Sequence, residues 1–225
     1  MSKYKRHAEH RDFVISIDET NNGLGLPSRN RYYTNTKAMI VTGYMMVDSG
    51  RMKAESQRNE GKRWGFGPKR KADSIQRAND YLNENSGFLY TLVTERMIDS
   101  KPMSVLKAEA MARITFQFLI NHDFLDRENF GIITDEMDGP SNGETAHNFL
   151  EQYLGHARID VPHSFEDHAE LVYPAVKKAD MVGYCLAAIH LYGESKAWPR
   201  RSKMVANDSL ESLARVINKK RYDKK

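Results

Sequence analysis

The 225 residues include a single cysteine, Cys185, so no internal disulfide is possible. No CxxC pair or Cys/His cluster exists either, which removes disulfide scaffolds and zinc ribbons. Apolar runs of 18 or more residues are absent, so no transmembrane helix is expected. The opening MSKYKRHAEHRDF lacks an apolar stretch, and no secretory signal is expected. The chain contains no GxxxxGK[ST], GxSxG or HExxH, which excludes the common NTPase, serine hydrolase and zincin readings. Hydrophobic residues at 40% and charged residues at 28% are those of a globular chain rather than a disordered one. The expectation is a soluble, cytoplasmic protein without a membrane partner.

The net charge of +4 is unevenly spread. Residues 51–77 carry nine basic and three acidic side chains, a net +6, which leaves −2 for the rest. Within them, GKRWGFGPKRK sets Trp64 and Phe66 among Arg63, Lys69, Arg70 and Lys71, and its glycines and proline oppose a regular helix. Cations contact phosphates and exposed aromatics stack on bases, so these six residues are the candidate nucleic-acid contacts. A solvated loop whose aromatics pin it to the body is the alternative. No RNP, KH or zinc-finger motif is present, so sequence-specific readout is not indicated.

Periodicity gives the order β-β-β-α-β-α-β-α. Strands are expected at 13–17, 37–47 and 87–95, a helix at 103–122, and a strand at 130–134. A helix at 145–155, a short strand within 157–165 and a buried helix at 173–192 follow, and RKADSIQRANDYLNEN reads as a further helix. TNNGLGLPSRN after Asp18-Glu19 is turn chemistry. Three strands without crossover helices suggest an antiparallel meander, and the later alternation suggests parallel additions to the same sheet. The expected architecture is one α/β domain over 1–225. Its core is 13–192, with a basic insertion at 48–86 and a basic, low-complexity extension at 193–225.

Asp18 and Asp135 stand at strand C-termini, the rim where open α/β sheets collect ligands, although a strand-end Asp also commonly starts a turn. Asp180 shares a helix face with Val176, Gly183 and Ala187. A carboxylate in an apolar face needs a partner or a metal; Lys177 and Lys178 are the alternative partners. Glu109 repeats the pattern beside Val105, Ala112 and Phe116, at the edge of its stripe, where a solvated Glu fits equally well. Glu19 and Glu136 follow the two strand-end aspartates. Carboxylates without His or Cys select Mg²⁺ or Mn²⁺, and paired ions of this kind serve phosphoryl displacement. His163, His168 and His190 read as ordinary loop or core residues, and Cys185 as core packing.

The segments FVISIDET, FGIITDE and LVYPAVKKADMVGYCLAAI resemble the ribonuclease H-like superfamily. They are most similar to its uncharacterised family catalogued as domain of unknown function 3800, with Lys178-Ala179-Asp180 matching the closing signature and Thr20 in place of a Ser. IDETNNGLG is also similar to the start of type 2 ribonucleases H, without their arginine and tight glycine spacing. The resemblance implies a mixed five-stranded sheet flanked by helices. It also implies metal ligands at Asp18, Glu109, Asp135 and Asp180, with Glu19 or Glu136 completing the shell, and a two-metal nuclease acting on RNA, DNA or a hybrid. A non-catalytic nucleic-acid or ribonucleoprotein adaptor on the same scaffold is the second reading. A strand-transfer or junction-resolving enzyme working as a homodimer is the third.

Overall fold

The computed structural model describes residues 13–22, 38–47, 71–94, 97, 100–122, 130–135, 140–160, 163–166, 169, 173–192, 203–206 and 208–222. The elements are β1 (Phe13–Asn22), β2 (Ala38–Val47), α1 (Lys71–Glu84), β3 (Phe88–Thr94) and α2 (Met103–His122). Then come β4 (Phe130–Asp135), α3 (Pro140–His156), β5 (His163–Glu166), α4 (Pro174–Tyr192) and α5 (Leu210–Tyr222). The mixed α/β expectation holds. The sheet order is β3-β2-β1-β4-β5, with β5 a four-residue edge strand. β1-β2-β3 form the antiparallel meander, while β4 pairs parallel to β1 and β5 parallel to β4.

Alternation along β1 decides what covers each face. Ile15 and Ile17 join Met39, Val41, Leu89 and Ile132 on one face, where α2, α3 and α5 supply Met111, Leu150 and Ile217. On the opposite face Val14 and Ile133 meet Tyr173 and Val176, and Ile40, Tyr44 and Tyr90 meet α1 and α4. The result is three layers with β1 at the centre. α2 approaches closely at Gly43: a Cβ there would lie 2.3 Å from Ile114 Cγ2 and 2.9 Å from Phe118 Cε2. With sheet on one side and α3 and α5 on others, α2 is buried around most of its circumference. It buries three charged residues, Lys107, Glu109 and Arg113, and each requires a partner.

Two features depart from the sequence reading. No element was expected in the basic extension at 193–225, and its described part is docked on the body. Val205 N–H donates to Tyr90 O (2.8 Å), which covers the β3 edge, and Arg113 Nε donates to Asp208 O (3.0 Å). Ser209 Oγ then caps α5 by accepting from Ser212 N–H (3.1 Å), and Leu213, Ala214 and Ile217 are buried against α2. Leu210, Leu213, Ala214 and Ile217 recur at helical spacing, and the dense surface charge conceals that stripe in the sequence. The second concerns β1, which continues past Asp18-Glu19 to Asn22 because β2 pairs with it as far as Ala38. Tertiary pairing there overrides the poor strand propensity of Asp and Asn.

Candidate functional site

β1 and β4 pair up to Ile17↔Thr134, and one step further places Asp18 beside Asp135. Parallel strands lie about 4.8 Å apart, and paired residues share a face. Across the other edge of β1, Asp18 pairs with Thr42 of β2 on that same face. α4 crosses it closely at Gly183, where a Cβ would stand 2.6 Å from Thr20 Oγ1 and 3.1 Å from Thr42 Oγ1. Asp180 lies one helical turn before Gly183, on the side of α4 turned to β1. Three elements therefore bring Asp18, Asp135 and Asp180 into one neighbourhood.

The electrostatics report the same convergence. Asp18 is only 8% exposed, and its carboxyl is held well above the usual carboxylate range. Burial is the largest cause, followed by the charges of Asp180, Asp135 and Glu19. The Glu19 N–H, donating to Asp18 Oδ1 at 2.7 Å, acts in the opposite direction. Asp135 Oδ1 accepts from Ala169 N–H at 3.0 Å. Thr42 Oγ1 is fully buried and has no hydrogen-bond partner among the described residues. An orphaned hydroxyl cross-strand from a repelled carboxylate fits a hydrated hard cation, for which oxygen donors are the suitable set. As they stand, however, no three His, Cys, Asp or Glu side chains among the described residues are gathered closely enough to hold a metal ion. Repulsion between like charges favours such a spread.

The remaining candidates divide. Glu19 points to the α2 side and forms a buried ion pair with Lys107. Glu109 is not brought to Asp18 and is engaged at the α2–α3–α5 junction. It accepts from Lys101 Nζ (2.5 Å), Arg113 (3.3 Å) and the Tyr153 hydroxyl (3.5 Å). Burial, then the Glu109 charge and hydrogen bond, push the Tyr153 hydroxyl above its ordinary pKa. Glu136, Arg63, Trp64, Phe66, Lys69 and Arg70 lie outside the described residues, as does the Lys71 side chain at the start of α1. The part of the basic insertion that is described forms α1, whose Ala78 and Leu82 pack with Val182 and Leu186 of α4.

Lys178, one of the alternative partners for Asp180, donates to Asn85 Oδ1 (3.0 Å) and lies over the Tyr44 ring. Cys185 is buried core, its thiol pushed up to about 12 by burial and then by Asp180, which leaves it a poor nucleophile. Sequence reasoning missed Thr42 and Lys107. Thr42 carries no signal of its own, but Lys107 shares a helix face with Ala110, Met111 and Ile114 and could have been found as a buried charge. Among the described residues no helix is long and apolar enough to cross a membrane. No family model matches the chain, and no curated protein matches it.

Proposed function

We propose that this chain is a Mg²⁺- or Mn²⁺-dependent nuclease of ribonuclease H-like type, hydrolysing phosphodiester bonds with Asp18, Asp135 and Asp180 as its acid site. One observation carries the reading: a buried Asp18 carboxyl repelled by Asp180 and Asp135, contributed by β1, α4 and β4. Burial of like charges is costly unless a cation compensates it. A bound divalent ion supplies Lewis-acid activation of water and stabilisation of the leaving oxyanion. Asp18 is the central group, since both neighbours act on it. Asp135 is oriented by the Ala169 N–H. Asp180 closes the site from the helix, at a distance from β1 that Gly183 permits. Thr42 Oγ1 offers a hydroxyl to a hydrated ligand on the same face. The basic residues 51–77 supply the contacts to a nucleic-acid backbone.

The adaptor reading is favoured by one observation, that no described trio of ligand side chains stands at metal distance. One assay separates the two. Labelled single-stranded, duplex and hybrid substrates are incubated with Mg²⁺, Mn²⁺ or EDTA. The nuclease reading expects cleavage that EDTA and Asp180→Asn both abolish. Binding without cleavage in every metal condition supports the adaptor.

A further inference from the structure

Positive charge also gathers well away from residues 51–77. Residues 215–225 carry Arg215, Lys219, Lys220, Arg221, Lys224 and Lys225 against Asp223, a net +5. With +6 at residues 51–77 and +4 for the whole chain, everything else sums to −7. The described part of this second cluster lies on α5, a docked helix. Leu213, Ala214 and Ile217 are buried against α2, and Ser209 caps the first turn. Lys220 Nζ donates to Ile120 O (3.0 Å) and Asn218 Nδ2 to His156 O (3.3 Å), which fixes the last turns to the C-terminal ends of α2 and α3. Those ends lie where β4 and β5 begin, so α5 finishes at the end of the sheet opposite Asp18 and Asp135.

At about 100° per residue, Arg215, Lys219 and Tyr222 fall within an arc of about 60°, on the side of α5 opposite Leu213 and Ile217. All three are exposed, Tyr222 to 76%. Glu211 stands one turn before Arg215, yet no ion pair joins them, and Lys219 has none among the described residues. The helix dipole accounts for a cation in the last turn, such as Lys219. It does not account for Arg215 in the middle of the helix, nor for a tyrosine left in water beside the cations. Cations one turn apart with an aromatic ring beside them are what hold single-stranded nucleic acid, the charges taking phosphates and the ring stacking on a base. An anionic membrane surface is a poorer match. A helix lying in a bilayer interface buries its apolar face there, and that face of α5 is already covered by α2.

We propose that the outward face of α5, formed by Arg215, Lys219 and Tyr222, is a second contact surface for single-stranded nucleic acid, separate from residues 51–77. The inference rests on the nucleic-acid partner of the proposed function, and on neither its cation site nor its cleavage chemistry. A strand held there is anchored at the end of the body remote from the acid rim.

The test is fluorescence anisotropy of labelled single-stranded DNA and RNA oligonucleotides titrated with the full chain in EDTA, over a series of salt concentrations. Wild type is expected to bind at least one of them with a steep salt dependence. The double variant Arg215→Gln, Lys219→Gln should bind more weakly. Its slope of log K against log [salt] should be shallower by about 1.4, two single-strand phosphate contacts at roughly 0.7 each. Tyr222→Ala should bind about fivefold or more weakly with the slope unchanged, and Tyr222→Phe should bind as the wild type does. The side chains are exposed, so all these variants should melt within about 2 °C of the wild type. Unchanged affinity and slope in the double variant, or unchanged affinity in Tyr222→Ala, overturns the inference and leaves the contacts proposed at residues 51–77 standing. Binding of equimolar phosphatidylserine–phosphatidylcholine vesicles that depends on Arg215 and Lys219, with oligonucleotide affinity independent of them, assigns the face to a membrane and overturns it as well. No binding of either oligonucleotide by the wild type at low salt overturns the inference and the nucleic-acid partner together.

Discussion

Glu109→Ala separates a structural carboxylate from a catalytic one. Glu109 and Arg113 are i,i+4 partners whose side chains are 8% and 9% exposed. Removing one member of such a pair strands the other, at a cost of about 3–5 kcal/mol. Arg113 keeps its bond to Asp208 O, which places the cost at the lower end, about 3 kcal/mol. Lys101 is 47% exposed, so its share of the loss is below about 1 kcal/mol. For a chain of this size each kcal/mol lowers the melting temperature by roughly 2–4 °C, so Glu109→Ala should melt about 6–12 °C lower. Lys101→Ala should fall by less than about 4 °C. The assay is thermal unfolding in EDTA, paired with Mn²⁺ titration of the folded variant. Unchanged stability together with lost Mn²⁺ binding would refute this account and return Glu109 to the ligand set.

Gly43→Ala forces a methyl into Ile114 and Phe118, so urea unfolding should show a loss of about 1–3 kcal/mol; an unchanged midpoint would mean that α2 has room to move. Ile217→Ala, at the α5–α2 contact, should cost about 2–5 kcal/mol by the same measurement, whereas a frayed tail would lose nothing. Asp18 has a folded-state pKa raised above its unfolded value near 3.9. Its favourable contribution is therefore complete below that unfolded value and is lost as pH rises through the folded one. In EDTA, Asp18→Asn should match the wild type at about pH 3.5 and become the more stable of the two as pH rises to neutrality. A melting-temperature series in which the Asn variant is less stable at neutral pH would contradict that sign.

Three of the acids were legible in the sequence because position alone marks them. Asp18 and Asp135 close apolar strands, and Asp180 interrupts an apolar helix face one turn before Gly183. Glu109 shows the same local pattern, but α2 is enclosed by the sheet, α3 and α5, so an interior carboxylate there had protein partners available. Its i,i+4 arginine was visible in the sequence. Lys101 and Tyr153 were not, since one lies in the turn before α2 and the other on α3. The meander and the parallel additions followed from the order of periodic segments. The reach of β1 beyond Asp18 did not, because only pairing with β2 makes a strand of Thr-Asn-Asn. The helix after Ser209 was overlooked although Leu210, Leu213, Ala214 and Ile217 recur at helical spacing, because the Lys and Arg run that follows them dominates the composition of the extension.

The central claim is that β1, β4 and α4 bring three carboxylates to one cation. Crystals of the full chain soaked in MnCl₂ and measured for anomalous scattering test it most directly. The account predicts an anomalous peak bounded by Asp18, Asp135 and Asp180, at about 2.0–2.3 Å from carboxylate oxygens, and its loss in Asp180→Asn. A well-ordered site in which those carboxylates stay apart without a peak, or a peak held by other residues, would contradict it.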